Sequence, residues 1–188
     1  QQLRRATPDL RILFLVDSLQ QLTLIEQWFA RSAAQQPQPF EVLLEIGLDG
    51  GRAGCRDHAG AQQLAQRLAT GVATCLVGVE CYEGLWAKGD TAADQALADE
   101  LMGRVSAIAR ECDAAGWFAS PEIIISAGGS SIFDLVARHM RPTLSRPVRA
   151  LLRSGCYVSH DHGNYKRMMS VMNSRLSCGH GLQAALEV

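Results

Sequence analysis

The chain has 188 residues, 47% of them hydrophobic and 20% charged, which is room for one full-sized core. Its formal net charge of -1 gives no electrostatic case for nucleic acid or an anionic membrane as partner. Apolar runs such as Ile12 to Val16 are far too short to span a bilayer, and the opening Gln1-Gln2-Leu3-Arg4-Arg5 lacks the apolar centre of a signal peptide. Cys55, Cys75, Cys81, Cys112, Cys156 and Cys178 are scattered without a CxxC pair, so a reduced cytoplasmic setting fits better than a disulfide framework.

Short β-branched and leucine-rich runs alternate with longer amphipathic stretches. Arg11 to Val16 reads as a buried strand, because a parallel strand covered on both faces is apolar throughout. Asp17-Ser18 offers an N-cap for a helix over Leu19 to Ala34, with Leu22, Ile25, Trp28 and Phe29 on one face. Pro37 and Pro39 mark a loop before a second strand, Phe40 to Ile46. A glycine-rich turn and a helix over Ala59 to Ala69 follow. Ala73 to Val79 is the third strand, then a polar loop and a long helix over Ala92 to Ala115. Pro121 opens a fourth strand over Glu122 to Ser126, with a short helix near Ile132 to Arg138 and a fifth strand over Val148 to Leu152. Beyond Gly155 the pattern loosens into loop, until 183–188 begin another element. Such alternation implies βαβ units and a parallel sheet, either doubly wound or a (β/α) barrel, and periodicity alone does not separate the two. In both, function sits on the loops after the C-terminal strand ends.

Four segments occupy those ends. Glu45 to Cys55 holds four glycines within 47–54 and a charged Arg52 suited to gripping a carboxylate or phenolate; a flexible loop with a surface arginine is the plain alternative. Gly78 to Gly84 places Tyr82 where it could flank a planar ring or plug the top of the core. Ser126-Ala127-Gly128-Gly129-Ser130-Ser131 has the make-up of a phosphate cradle between strand and helix, although it matches neither the P-loop nor GxGxxG. In Leu151 to Tyr165, Gly155 could add a second set of anion-facing amides. His160 with His162, and Cys178 with His180, are only partial ligand sets for a metal.

Taken in order, these segments resemble the barrel domain of the alanine racemase-like, fold-type III pyridoxal-phosphate (PLP) enzymes. Within it they are most similar to the branch holding D-threonine aldolase, D-serine dehydratase and the amino acid deaminases. Glu45-Ile46-Gly47 through Arg52-Ala53-Gly54 resembles that branch's Glu-Ile-Asp and Arg-x-Gly. Gly78 to Gly84 resembles Gly-Leu-x-x-Tyr-x-Gly, Ser126 to Ser131 its phosphate loop, and Arg153 to Tyr157 its Arg-Pro-Gly-x-Tyr. Gly47 and Ser154 depart from the usual Asp and Pro, and the run through His160-Asp161-His162 looks more like the deaminases than the aldolases.

The resemblance implies an α/β fold, a parallel (β/α) barrel of the alanine racemase N-terminal type, present as an incomplete portion over 1–182. On this reading 183–188 start a C-terminal β-domain, and both termini read as cut. It implies PLP as cofactor, with Gly128, Gly129, Ser130, Gly155 and Cys156 at the phosphate, Tyr82 near the ring, and Arg52 and Arg153 beside the ring oxygen or nitrogen. A divalent metal would belong to the domain beyond Val188. The implied activity is a D-amino acid deaminase or dehydratase of the D-serine or D-threonine type; an aldolase-like C–C lyase and a non-catalytic PLP barrel are the alternatives. The family's cofactor-bearing lysine ends its first barrel strand, a position that neither Lys88 nor Lys166 fills, so this stretch alone is expected to be inactive. A small D-amino acid, the remaining parts of the same protein and a second copy in a homodimer are the implied partners. The fourth and fifth strand-end turns are expected at one end of the sheet, with Tyr82 and Arg153 on the same side.

Overall fold

The computed structural model of the chain describes residues 2–7, 9–128, 131–153, 155 and 164–179. Its strands are β1 (Leu13–Val16), β2 (Phe40–Ile46), β3 (Thr74–Cys81), β4 (Ile123–Ala127) and β5 (Val148–Leu152). Its helices are α1 (Gln2–Ala6), α2 (Leu19–Arg31), α3 (His58–Thr70), α4 (Thr91–Ala114), α5 (Phe133–Val136) and α6 (Asn164–Leu176). The strands form one five-stranded sheet in the order β1-β2-β3-β4-β5, and every pairing is parallel. That sequential order decides between the two architectures. A doubly wound sheet reverses direction at a switch point, whereas strands laid down one after another are an arc of a (β/α) barrel.

Side chains alternate across the pleat. Val42, Leu44, Ile46, Leu76, Val79, Ile123 and Ile125 enter the main core with Leu64 and Leu68 of α3 and Leu101, Val105 and Ile108 of α4. On the opposite, inner face, Leu43, Val77 and Ile124 form a small second cluster with Leu13, Leu15 and Cys75 against it. A register shift at Val42/Leu43 moves the pairing so that Leu43 faces Gly78, and the upper half of β3 re-enters the ladder one residue later. A Cβ at Gly78 would stand 2.0 Å from the carbonyl oxygen of Ile124, so Gly78 lies directly against the backbone of β4.

Local chemistry explains the helix starts. Ser18 accepts from the Gln21 amide, Asp57 from Gly60 and Asp90 from Ala93, each a side-chain N-cap. α2 stops at Arg31, and a 3-10 turn over Ala33–Gln35 takes the rest of the expected helix. Likewise α5 gives way to a 3-10 turn over Ala137–His139. β1 is shorter than the expected Arg11 to Val16: Ile12 is exposed, and Arg11 instead pairs with Glu41 at 2.7 Å. β3 runs past Val79, because Glu80 pairs with Ser126 in the ladder and Cys81 packs in the core.

The larger correction is α6, where the sequence pattern suggests loop. Tyr165, Met168, Met172 and Leu176 recur along it at helical spacing, and Met168 and Met172, one turn apart, are the two that are buried. Arg175 then clamps Asp134 of α5 through two hydrogen bonds of 2.9 and 2.7 Å, both side chains being almost fully enclosed. The proposed element at 183–188 lies outside the described residues. No helix among the described residues is long and apolar enough to cross a membrane.

Candidate functional site

The loop after β2 folds back on its own strand. Cys55 donates its amide to the Glu45 carbonyl at 2.8 Å, and Gly47 donates to the Cys55 carbonyl at 3.1 Å. Two arginines then gather the loop's carbonyls. Arg56 donates to Leu48, Ala53 and Gly51 at 2.7 to 2.8 Å. Arg104, reaching in from α4, donates to Gly47 at 2.5 Å, Cys55 at 3.2 Å and Arg56 at 2.5 Å. Asp17, just past β1, accepts from the Gly54 amide at 3.0 Å. The loop so fixed carries Arg52 on its exposed crest, with the guanidinium carbon 5.0 Å from the centre of the Tyr82 ring. That is cation–π range.

At the top of the inner face the register places Glu45, Glu80 and Ser126 side by side on β2, β3 and β4. Arg153, leaving β5, lies across them. It donates to the Ser126 hydroxyl at 2.8 Å, to the Cys81 carbonyl at 2.6 Å and to Oε2 of Glu80. Glu80 is fully enclosed, and its Oε1 has no partner among the described residues. Burial pushes the Glu80 carboxyl up to about 8; Arg153 opposes this, while Glu45 and Glu83 add to it. Burial, helped by Asp17, also holds the Glu45 carboxyl above its ordinary range. Burial outweighs the arginine because taking a carboxylate out of water costs more than one neighbouring charge returns.

β4 leads into Gly128, whose φ of +116° favours glycine and whose missing side chain matters: a Cβ there would lie 3.0 Å from Leu152 Cδ2 and 3.2 Å from the Arg153 amide nitrogen. The ends of β4 and β5 are thus in contact at the same end of the sheet. The Gly128 amide donates at 3.1 Å to the buried carboxylate of Glu83, a residue that motif spacing did not single out. Of the other expected phosphate-side residues, Gly155 is exposed with open space around it. Gly129, Ser130 and Cys156 lie outside the described residues, as do His160, His162 and His180.

The geometry therefore brings Arg52 to Tyr82 and Arg153 to Gly128, with the end of β3 between the two pairs. Arg56, Arg104, Glu80 and Glu83 are the residues that sequence reasoning missed; only Glu80, a lone carboxylate within an apolar strand, carries a visible signal. Cys55 is no nucleophile here, since burial pushes its thiol up to about 11. Lys88 and Lys166 are exposed, one in the loop before α4 and one on α6. No group of three His, Cys, Asp or Glu that could hold a metal occurs among the described residues.

No family model and no curated protein matches the chain. Solved structures do. D-threonine aldolase from Filomicrobium marinum superimposes with a TM-score of 0.62 at 20% identity, covering 88% of this chain and 41% of that one. D-threo-3-hydroxyaspartate dehydratase from a Delftia species gives 0.59 at 27% identity, covering 90% and 40%. A mutant of D-threo-3-hydroxyaspartate dehydratase in a metal-free form gives 0.57 at 26%. The chain spans about two fifths of the length of these structures. They are fold-type III PLP enzymes, so the likeness of the strand-end segments to that family extends to the three-dimensional arrangement of the strands.

Proposed function

We propose that the C-terminal ends of β2 to β5 form part of a PLP site in an enzyme acting on small D-amino acids, with deamination by β-elimination as its reaction. The observation that carries this is the placement of Arg52, Tyr82, Gly128 and Arg153 on neighbouring strand ends of an arc shared with the dehydratase. Two features fit the group. The turn at Gly128 is a cradle that a Cβ would fill, and Arg153 beside it keeps 36% of its side chain exposed at the strand ends.

In this reading Arg153 and Arg52 supply positive charge to the anionic oxygens of the cofactor or to the ring atoms beside them, and Tyr82 bounds the ring plane. The backbone around Gly128 would approach the phosphate, with Gly129, Ser130, Gly155 and Cys156 completing its amides and hydroxyl. Bound PLP would supply an electron sink for the α-carbon of the amino acid. Arg56 and Arg104 keep the Arg52 loop from yielding when an anion pulls on it. The lysine that bears the cofactor would come from elsewhere in the whole protein, as would any metal. A cytoplasmic homodimer is the assembly this reading expects.

The test uses the whole protein with D-serine, D-threonine and D-threo-3-hydroxyaspartate. Elimination converts D-threonine to 2-oxobutanoate and ammonia, so the expected products are a 2-oxo acid and ammonia in equal amounts. Glycine and acetaldehyde would replace this reading with the C–C lyase. Cofactor binding without either product would leave a PLP-binding barrel.

A further inference from the structure

Glu80 is enclosed, yet its partner Arg153 keeps 36% of its side chain exposed. A ligand at the strand ends can therefore meet the arginine but not the carboxyl beneath it. We infer that Glu80 is a positioning residue that sets how much positive charge Arg153 offers to an anionic oxygen of the ligand. This rests on the cofactor reading above.

The argument is one of charge in a place without water. Ionised, Glu80 would leave Oε1 buried, charged and without a hydrogen bond from any described residue, which is costly. Protonated on Oε1, it still accepts from Arg153 through Oε2, so the guanidinium stays in place beside Ser126 and the Cys81 carbonyl. In that state no carboxylate beneath Arg153 cancels its charge. Every titratable neighbour bears on the balance: Glu45 from β2 and Glu83 from the β3–α4 connection favour the proton, while Arg153 and Arg52 oppose it. Burial decides the outcome, and the group holds its proton up to about pH 8. Above that, ionised Glu80 neutralises Arg153 and its pull on an anion falls.

The experiment compares the whole wild-type protein with Glu80→Gln, which is neutral at every pH. The probe is pyridoxine 5′-phosphate, an alcohol that cannot condense with a lysine, titrated by calorimetry at about pH 7 and about pH 9.5. The two proteins should bind alike at the lower pH, and at the higher pH the wild type should bind roughly tenfold more weakly than the variant. Comparing the two proteins at each pH cancels titration of the probe itself. Infrared spectra of the ligand-free proteins near neutrality should show a carboxylic-acid carbonyl band that the variant lacks and that fades as the wild type passes about pH 8. Absence of that band, or an equal pH dependence in the two proteins, overturns the inference. If neither protein binds the probe at any pH, the cofactor reading fails and takes the ligand of this inference with it. The infrared band, which needs no ligand, tells that outcome apart from a failure of Glu80. Should Glu80→Gln not fold, the wild-type band and its pH course decide alone.

Discussion

Ile124 and Ile125 are adjacent in β4 and almost equally enclosed, at 2% and 1% exposure, yet they sit in different surroundings. Ile125 joins the large cluster between the sheet and its helices, whereas Ile124 joins the small inner group with Leu43 and Val77. Above Ile125 on the outer face come more apolar residues. Above Ile124 come Ser126 and the carboxyl groups of Glu80 and Glu45. One face of the sheet is devoted to holding the fold, and the other turns from apolar to charged as it nears the strand ends. Equal burial thus conceals unequal roles.

Truncation is the sharpest test of that difference. Ile125→Ala should cost about 4 kcal/mol, because helices on the far side keep the cavity from collapsing. Ile124→Ala should cost about 2 kcal/mol in this chain, where fewer neighbours close over the gap. Urea denaturation of both variants measures the two; equal costs would erase the distinction between the faces.

The next effect tests the charged end of the inner face. The Glu80 carboxyl sits at about 8 in the folded chain against an ordinary 4.5. A raised carboxyl contributes stability in full below its unfolded value, and that contribution is lost as pH rises through the folded one. Between about pH 5 and pH 8 the wild type should therefore lose about 3 kcal/mol more than Glu80→Gln. Thermal melts across this window give the slope, and parallel curves would mean that Glu80 is ionised throughout.

Arg104→Met removes three carbonyl contacts while keeping a long apolar stem, at an expected cost of about 2 kcal/mol. Amide exchange should quicken over 47–56 more than elsewhere, and a uniform change would argue against a local clamp. Smallest of all, Arg52→Ala should alter stability by no more than about 0.5 kcal/mol, since the residue is exposed. Tyr82 fluorescence should nonetheless change as the guanidinium leaves its ring, and an unaltered spectrum would separate the two residues in solution.

The apolar strands and capped helices were legible in the sequence because burial on both faces and side-chain caps leave local patterns. The residues at the strand ends were legible through their order along the chain. α6 reads as loop although Tyr165, Met168, Met172 and Leu176 recur at helical spacing, and its anchor, Arg175 on Asp134, joins positions too distant for a local pattern to show. Arg56 and Arg104 escape for another reason. Their partners are backbone carbonyls, and a carbonyl leaves no trace in the identity of the residue that bears it. Glu83 reaches Gly128 across the β3–α4–β4 crossover, a contact that only the pairing of those two strands brings about.

The extra residue in β3 has a consequence for both faces at once. Leu76 and Val79 both point to the helices although they stand three positions apart, a spacing that strict alternation forbids. Gly78 acts as a phase shift: below it the strand keeps one beat, above it the opposite one, and Glu80 arrives on the inner side only because of the change. Deleting one residue there would restore plain alternation and leave both the pairing of the upper half and the side each residue faces unchanged. Inserting one more above it would turn Glu80 toward the helices and bring Cys81 inward. A change of length in β3 therefore depends on its sign: one residue fewer keeps the core and the strand ends in step, and one more does not.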